Sequence, residues 1–449
     1  MKKLLSTEFL KRIETLLGEE YHAFLESYGN KPNQSLNVNR YKIMPEKFSI
    51  LSPFALEKIS FSDYSFSFNS EKPGRSVYHH AGCFYVQEIS AMMPINCLPL
   101  VNRKVRILDL CAAPGGKTMQ LAQNENAFIL ANEINPKRAK ILVGNIERLG
   151  LVNVIVSSLD AKVLAETYPG YFDYIILDAP CSGEGMFRKN PEAIKEWSLN
   201  SVLGCAERQK ELLDYASIML ADQGHLLYST CTFAPEENEF VIKTFLEDYP
   251  EYSLLEVPDN IKNITKPGVI SGLEKTRRAY PHLTGEGQFM ALMKKHGYEQ
   301  KNKLKGAYYR ELSRQKKLEI EKFLAGILNF SEDLIIKEYN GKPIIVFDSD
   351  FLLPPSQVFL PGVTIFDSEK NLVPHHQFFM TFGHRFKRKL NLKASDIRIK
   401  QYLKGLEIEA DVACGFGALL VEGAALGGFK AKNNKLKNHY PKGLRENSI

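Results

Sequence analysis

Short apolar runs that end in Pro, Ser or Gly recur between residues 105 and 230. The runs VRILDL, FILANE, VIVSS, YIILDA and HLLYST lie between or beside helix-like segments such as PKRAKILVGNIERLG and PEENEFVIKTFLEDY. This alternation is typical of a doubly wound α/β fold with a parallel sheet, in which loops at the carboxyl ends of the strands form the ligand crevice. Two later runs, YSLLEV and QFMALMKK, are predicted to be edge strands.

The patterns on either side of this sheet predict a four-domain chain. Residues 1–100 combine an amphipathic helix up to about Tyr28 with short strand-like runs, which indicates an α+β domain. The sheet is assigned to residues 101–298. A charged helix followed by short β-like runs is assigned to residues 299–380, and a Gly-rich, basic, β-rich domain to residues 381–449.

Charge is unevenly distributed along the chain. The net charge is +6, but residues 384–449 alone hold 14 Lys/Arg and 6 Asp/Glu, so the remainder is close to −2. A basic carboxyl-terminal domain favours a polyanionic partner, with nucleic acid as the leading candidate and a solvated surface as the alternative.

Other features of the composition restrict the class of protein. No apolar run is long enough for a membrane span and no signal peptide is evident, which predicts a cytoplasmic protein without a membrane partner. Seven cysteines without a CxxC pair indicate neither a disulfide framework nor a metal site. We expect Cys83, Cys97, Cys205 and Cys414 to serve packing only.

The string LDLCAAPGGKT predicts a glycine loop after the first strand. A nucleoside-triphosphate loop would need Gly where Cys111 stands, so a P-loop ATPase is disfavoured. Gly115 and Gly116 would let the backbone approach a ligand, although structural turns with two glycines are equally common.

Carboxylates follow the next three strands, at Glu133, Asp160 and Asp178. Each alone is compatible with a helix cap, but together they suit the ribose hydroxyls, base and sulfonium of a nucleoside cofactor. The absence of GxGxxG and the presence of Pro114 disfavour a dinucleotide, so S-adenosylmethionine fits better.

Cys181 and Cys231 end two of the apolar runs, which predicts two thiols at one pocket. Cytosine C5 is a poor nucleophile until a thiolate adds to C6, and a carboxyl group such as Asp178 can then hold the base. The pair is therefore a candidate for covalent catalysis.

Taken with their order, the motifs CAAPGGKT, DAPCSGEG and STCTF, followed by PEENE, resemble the NOL1/NOP2/Sun family of RNA (cytosine-5) methyltransferases. The likeness covers about residues 75–296. The whole length, with KNHYPKGLR near its end, resembles the bacterial RsmF-type 16S rRNA branch. Ile89 departs from the family, which commonly has Pro there.

The resemblance implies roles for individual domains and residues. Residues 101–298 would be the methyltransferase domain, with RNA-binding domains at residues 1–100 and, PUA-like, at 381–449. Cys231 would attack C6, with Cys181 assisting product release. The cofactor site would comprise Cys111, Ala112, Ala113, Pro114, Gly115, Gly116, Lys117, Glu133, Arg138, Asp160 and Asp178. The segment RKNP, from Arg188 to Pro191, is a candidate to contact a phosphate or the target base, or else a solvated basic loop.

The leading hypothesis is therefore S-adenosylmethionine-dependent methylation of cytosine C5 in RNA, with 16S rRNA as the first candidate. DNA is not expected as a partner, and a monomer is favoured. A tRNA methyltransferase and a non-catalytic RNA-binding assembly factor stay as alternatives.

Overall fold

The computed structural model describes residues 5–297, 304–330, 333–368, 370 and 372–445. The domain boundary expected at residue 298 lies outside the described residues.

The amino-terminal region is a small α+β unit in which an antiparallel sheet is flanked by short helices. Its sheet has the order β2-β3-β1-β4. The helix that the sequence predicts near the start begins after Ser6, whose hydroxyl accepts a hydrogen bond from Phe9 N. The elements are α1 (Thr7–Leu17), α2 (Tyr21–Ser27), β1 (Gln34–Val38), α3 (Pro45–Leu51), β2 (Leu56–Lys58), β3 (Ser65–Phe68), α4 (Val77–His80), β4 (Phe84–Val86) and α5 (Ile89–Asn96).

The central region alternates strands and helices as its apolar runs predict. Its elements are β5 (Val105–Asp109), α6 (Gly116–Ala122), β6 (Ala127–Asn132), α7 (Pro136–Leu149), β7 (Val154–Ser157), α8 (Ala161–Thr167), β8 (Phe172–Asp178), α9 (Pro191–Glu196), α10 (Leu199–Met219), β9 (Leu220–Thr230), α11 (Glu239–Asp248), β10 (Tyr252–Leu254), α12 (Asp259–Lys262), β11 (Lys266–Pro267), β12 (Arg277–Ala279) and β13 (Gln288–Lys295).

The connecting region contributes α13 (Arg314–Ile327), β14 (Ile335–Tyr339), β15 (Lys342–Val346), β16 (Val358–Leu360), β17 (Val363–Thr364), β18 (Phe366–Ser368), β19 (Val373–Pro374) and α14 (His376–Phe382). The carboxyl-terminal region contributes β20 (Lys389–Leu392), α15 (Ile397–Leu403), β21 (Ile408–Glu409), β22 (Gly415–Val421), β23 (Ala424–Lys432) and β24 (Lys435–Asn438). The last five strands form one sheet of order β20-β22-β23-β24-β21, so this end of the chain is β-rich as expected.

The central sheet is doubly wound, which confirms the predicted fold class. Its main path is β11-β12-β13-β9-β8-β5-β6-β7-β16, and β10 pairs with β13. The five strands β9-β8-β5-β6-β7 are parallel, and the chain reverses its winding direction between β5 and β8. A crevice forms at such a switch point, outside the carboxyl ends of the strands.

One sequence expectation about the edges of this sheet needs correction. The run QFMALMKK is not an edge strand, because β13 pairs with β9 along its length and with β12 and β10 on its other side. The connecting region contributes to the same sheet: β16 pairs with β7, and Phe351 and Leu353 are buried in the same core as Leu108.

Packing joins the terminal regions to each other. Leu36 and Phe48 of the amino-terminal region share one buried cluster with Leu419 and Phe429 of the carboxyl-terminal sheet. The division into four domains expected from the sequence stays a prediction. Among the described residues, no helix combines the length and apolarity that a bilayer crossing requires.

Candidate active site

The thiols of Cys181 and Cys231 face each other beyond the ends of β8 and β9. Their Sγ atoms lie 3.2 Å apart, within hydrogen-bond distance for sulfur. The contact follows from strand register: β8 and β9 are parallel neighbours in which Asp178 pairs with Ser229, so the next residues of both strands emerge side by side. Both residues are half-buried, which leaves the pair accessible from the crevice.

The surroundings of Cys181 keep its thiol protonated. The hydrogen bond with Cys231, followed by burial, raises the pKa of the Cys181 thiol well above its ordinary value. The Cys181 thiol is therefore a proton carrier at neutral pH and is suited to donate its hydrogen to the Cys231 sulfur. The pair can supply one nucleophile and one acid.

Asp178 links the thiol-bearing strands to the glycine loop. Its Oδ2 lies 2.8 Å from Lys117 Nζ, and its Oδ1 accepts hydrogen bonds from Ser229 Oγ (2.7 Å) and Gln288 Nε2 (3.3 Å). The Lys117 side chain is buried, whereas the Asp178 side chain keeps 35% of its surface exposed. Both oxygens of this carboxylate are thus held in place, while the side chain keeps part of its surface accessible.

The glycine loop follows β5 and starts α6, as the sequence predicts for a loop that admits a ligand. Gly115 has a φ of +113°, a backbone conformation that favours glycine. A Cβ atom at Gly116 would lie only 3.0 Å from Gln87 Cδ. The backbone therefore passes closer to its neighbours here than a side chain would allow. Lys117 is held by Asp178, so it does not point outward as a phosphate ligand.

The first residues of the loop are fixed from two sides. Ala112 N donates to Asn132 O (2.8 Å), and both Ala112 and Ala113 are buried. Arg138 Nη2 donates to Ala113 O (2.7 Å), and Asn145 Nδ2 donates to Pro114 O (2.9 Å). These contacts hold the loop against α7.

Glu133 lies just beyond β6 and is buried. Its Oε1 accepts a hydrogen bond from Asn135 N (3.0 Å), and its Oε2 lies 3.3 Å from Arg138 Nη1. Arg138 is therefore more than a helix-surface charge, because it joins Glu133 to the glycine loop.

Two further predicted residues lie at the edges of this arrangement. Asp160 caps α8, since its Oδ1 accepts a hydrogen bond from Lys162 N (2.8 Å), and it is exposed. Cys111 follows β5 and packs against the main core, where burial raises the pKa of its thiol. The thiol pair is formed by Cys181 and Cys231, and we assign no chemistry to Cys111.

The donor set fits a nucleoside cofactor with a cationic centre. Carboxylates follow β6, β7 and β8 around a loop in which no lysine is free to bind phosphate. Asp109, at the end of β5, adds a buried carboxyl group whose Oδ2 accepts a hydrogen bond from Thr118 Oγ1 (2.6 Å). Among the described residues its Oδ1 has no hydrogen-bond partner, and burial raises the pKa of the group to about 7. Ribose hydroxyls, an adenine amino group and a sulfonium suit such a site better than phosphates.

Within the RKNP segment, Arg188 is not a solvated side chain, and a phosphate or base contact by the segment stays a prediction. Arg188 is buried, with its Nε 2.8 Å from Glu286 Oε2 and its Nη1 donating to Ser27 O (2.8 Å). Burying a guanidinium requires such pairing. The neighbouring Lys189 and Asn190 are exposed.

The remaining cysteines divide by position. Cys83 and Cys97 are buried and Cys205 is half-buried, in keeping with a packing role. Cys414 is exposed, so the expectation of packing is wrong for that residue.

Sequence reasoning missed the polar residues that hold the thiol loops. Glu237 accepts hydrogen bonds from Ser182 and Gln209, and Thr232 Oγ1 lies 2.9 Å from Ser182 Oγ. The only local signal is PEENE, whose acidic and amide side chains begin five positions after Cys231, and such a run usually faces solvent.

Comparison with known proteins gives matches along most of the chain. The family model described as 16S rRNA methyltransferase RsmB/F matches residues 96–294. Models of the N-terminal domain of 16S rRNA methyltransferase RsmF and of the methyltransferase RsmF PUA domain match residues 5–89 and 389–446.

Individual relatives agree with these matches. The chain is 31% identical over 471 residues to a protein of Vibrio atlanticus named ribosomal RNA small subunit methyltransferase F, covering 97% of both chains. A protein of the same name from Shewanella oneidensis is 31% identical, with 95% of this chain and 94% of that one covered. A solved structure described as a methyltransferase homolog protein from Pyrococcus horikoshii is 28% identical with a TM-score of 0.57, covering 65% of this chain and 96% of that one.

Proposed function

Because the chain belongs to the 16S rRNA methyltransferase RsmB/F family, we propose that it methylates C5 of a cytosine in RNA through a covalent bond between Cys231 and C6. The family and fold imply S-adenosylmethionine as the methyl donor. The substrate we propose is 16S rRNA, in keeping with the names of the relatives that span the whole chain.

The observation that carries this proposal is the 3.2 Å approach of two thiols beside a carboxylate. A methyl sulfonium needs a strong carbon nucleophile, and a cytosine becomes one only after addition at C6. A single thiol would suffice for the addition. A second thiol, the protonated one of Cys181, supports a cycle in which the bond between Cys231 and C6 must also be broken.

In the proposed cycle, the Cys231 thiol gives its proton to solvent and its sulfur bonds to C6, so that the π electrons of the C5–C6 bond raise the electron density on C5. C5 would then take the methyl group of a bound S-adenosylmethionine, which leaves as a neutral thioether. A base next removes the hydrogen on C5, the C5–C6 double bond forms again, and the C6–S bond breaks to return the Cys231 thiolate. We propose that Cys181 assists this last stage, since its raised pKa makes it a proton carrier beside the departing sulfur.

Asp178 is proposed to hold the target base. Lys117 holds its Oδ2 and Ser229 its Oδ1, and because the side chain is 35% exposed, the remaining lone pairs can accept from the cytosine amino group or share a proton with N3. Gln288, which donates to the same carboxylate, limits its rotation.

We propose that the cofactor lies along the glycine loop from Cys111 to Lys117. Glu133 would accept from the ribose hydroxyls and Asp160 from the adenine amino group. Arg138 would hold the Glu133 carboxylate and the glycine loop at a fixed separation, because it contacts both.

RNA binding is proposed for the surfaces on either side of the site. The carboxyl-terminal region, which the RsmF PUA model matches, is strongly basic and would contact phosphates without reading sequence. The target base must leave its stack to reach the half-buried thiols.

Denaturing gels with labelled 16S rRNA test the assignment. Cys181→Ala should accumulate a covalent protein–RNA adduct, whereas Cys231→Ala should form no adduct and transfer no methyl group. A normally active Cys231→Ala enzyme would exclude the covalent mechanism. Methylation of tRNA in preference to 16S rRNA would overturn the proposed substrate but not the proposed covalent methylation of cytosine C5.

A further inference from the structure

Glu237 connects the two loops that carry the thiols. It lies six positions after Cys231, at the start of the segment that leads into α11. Its carboxylate accepts a hydrogen bond from Ser182 N (2.9 Å) at Oε2 and another from the Ser182 hydroxyl at Oε1. Both hydrogen bonds come from the residue next to Cys181. A side chain of the Cys231 loop therefore binds the backbone amide and the hydroxyl of Ser182 in the Cys181 loop.

Neighbouring groups complete this connection. Gln209 of α10 donates to Glu237 Oε2 (3.0 Å) and to Pro180 O (2.9 Å), so it binds both loops at once. Thr232 Oγ1 lies 2.9 Å from Ser182 Oγ. The Tyr228 hydroxyl donates to Glu237 O (2.6 Å), which anchors the backbone of Glu237 to β9.

Burial makes this network costly to disturb. Glu237 has no exposed surface, and burial raises its pKa to about 7 while the bonds from Ser182 oppose the rise. Its charge in turn contributes to the raised pKa of the Cys181 thiol, after the bond to Cys231 and burial. A buried acceptor that loses its donors carries the full desolvation cost.

We propose that Glu237 is a positioning residue that holds Cys181 against Cys231 so that the covalent RNA adduct can be released. This inference rests on the proposed function, since it assigns Glu237 to one stage of that cycle. Cys231 itself lies at the end of β9, and Gly185 N donates to its carbonyl (2.8 Å) independently of Glu237. The attack on C6 therefore depends less on Glu237 than does the release step, which needs both thiols together.

The first test compares Glu237→Gln with Glu236→Gln. Glutamine keeps the size of the side chain but presents an NH₂ group to at least one donor of the network. Glu236 is the matched control, because it undergoes the same chemical change one residue away and pairs with Arg12 rather than with a thiol loop. Single-turnover experiments with labelled RNA would give separate rates for adduct formation and adduct release.

Glu237→Gln should slow adduct release by roughly tenfold to a hundredfold, because small displacements of a catalytic group cost about that much. Adduct formation should change far less, so the adduct should accumulate on denaturing gels as it does in Cys181→Ala. Glu236→Gln should release its adduct at the wild-type rate. Equal losses of both rates in Glu237→Gln, or no loss in either, would overturn the inference.

A second readout needs no RNA. The rate at which the two thiols form a disulfide with diamide reports how often their sulfur atoms meet. This rate should fall in Glu237→Gln and stay unchanged in Glu236→Gln, with Tm values measured for both variants. Ser182→Ala, which removes the hydroxyl donor but keeps the backbone donor, should show a smaller change in the same direction, and it serves as the test if Glu237→Gln does not fold.

The two proposals can fail separately. If Cys181→Ala forms no adduct, the covalent mechanism fails, and the diamide rates still decide whether Glu237 holds the thiols together. If Cys181→Ala accumulates adduct while Glu237→Gln behaves as wild type in both assays, only the role of Glu237 is wrong.

Discussion

Cys181 and Cys231 are 50 positions apart in the sequence, and their sulfur atoms lie 3.2 Å apart in the fold. Parallel pairing of β8 with β9 creates this contact, because Asp178 and Ser229 are in register and each thiol follows within three residues. The two sulfur atoms would have to approach by about 1.1 Å to form a covalent S–S bond of about 2.05 Å. The relationship therefore has consequences for oxidation as well as for catalysis.

We expect hydrogen peroxide to link the two thiols and inactivate the enzyme reversibly. Both thiols lose their hydrogens as the S–S bond forms, and peroxide is reduced to two molecules of water. Mass spectrometry of peptides under non-reducing conditions should find the Cys181–Cys231 link, and dithiothreitol should restore methyl transfer. Cys414→Ala, which removes an exposed thiol elsewhere, should behave as wild type. Reversible inactivation without the link would contradict this expectation.

Lys117→Met should reduce cofactor affinity and stability together. It removes a buried cation from the Asp178 carboxylate and leaves that carboxylate without its ion-pair partner. Because the Asp178 side chain is 35% exposed, we expect a loss of about 1–3 kcal/mol in the free energy of unfolding, below the value for a fully buried pair. Urea denaturation and calorimetry with S-adenosylmethionine would measure both quantities.

Arg103→Met is the matched control for this variant. It breaks the exposed pair between Arg103 and Asp173, at 2.9 Å, outside the site. An exposed pair contributes about 0–1 kcal/mol, so stability should hardly change and cofactor affinity should not change. Similar losses in both variants would argue against a special role for Lys117.

The sequence predicts the parallel half of this fold well because each buried strand is an apolar run with a Pro, Ser or Gly boundary. It fails on β13, whose apolar run carries no sign of how many neighbours it has. The thiol pair can be expected, because both cysteines follow the ends of predicted strands. The hydrogen bonds between Glu237 and Ser182 cannot be expected, because an acidic run after a strand usually faces solvent.

Long-range pairing also explains the failure at Arg188. Its partner Glu286 lies 98 positions away, so no local pattern distinguishes this buried arginine from an RNA-binding one. In the same way, no sequence pattern indicates that Phe48 and Phe429 belong to one core.

Gly115→Ala should weaken both stability and cofactor binding. The φ of +113° is unfavourable for alanine, and the added Cβ would lie 2.8 Å from Leu142 Cδ1. We expect a loss of about 1–3 kcal/mol in the free energy of unfolding. Gly144→Ala is the control, because it lies within α7 with no atom within 4 Å of the added Cβ, and it should be neutral or stabilising by up to about 1 kcal/mol. Equal effects in chemical denaturation would contradict the argument.

Stability should depend on pH through buried histidines. His79 and His376 line a cavity of about 580 Å³ between the terminal regions and α7, and burial lowers the pKa of both to about 3. Between about pH 3 and 6.5 the unfolded chain therefore binds more protons at these sites, so their contribution to stability falls as the pH is lowered. Glu147, whose pKa burial raises to about 7, acts in the opposite sense: its contribution is lost as pH rises from about 4.5 to 7.

His376→Gln separates these effects because it removes one histidine and leaves Glu147 in place. Its free energy of unfolding should fall less steeply than that of the wild type between pH 6.5 and 4. Urea denaturation at closely spaced pH values would measure the two slopes. Identical slopes would mean that His376 is not held neutral in the folded protein.

Lys189→Ala should weaken RNA binding without changing the chemistry of the thiols. Lys31 and Lys189 are exposed and line a cavity of about 790 Å³, which lies between the amino-terminal sheet and the RKNP segment. Neither lysine has an ion-pair partner within residues 5–297. Removing one phosphate contact should lower the slope of log affinity against log salt by about 0.7 for single-stranded RNA. Filter binding at several salt concentrations would measure that slope, with Lys322→Ala on the exposed face of α13 as the control. The cavity is also lined by Gln87, whose side chain lies next to Gly116 of the glycine loop, so RNA bound there would be close to the site. Unchanged binding in Lys189→Ala would contradict this location and favour the carboxyl-terminal region as the RNA-binding surface.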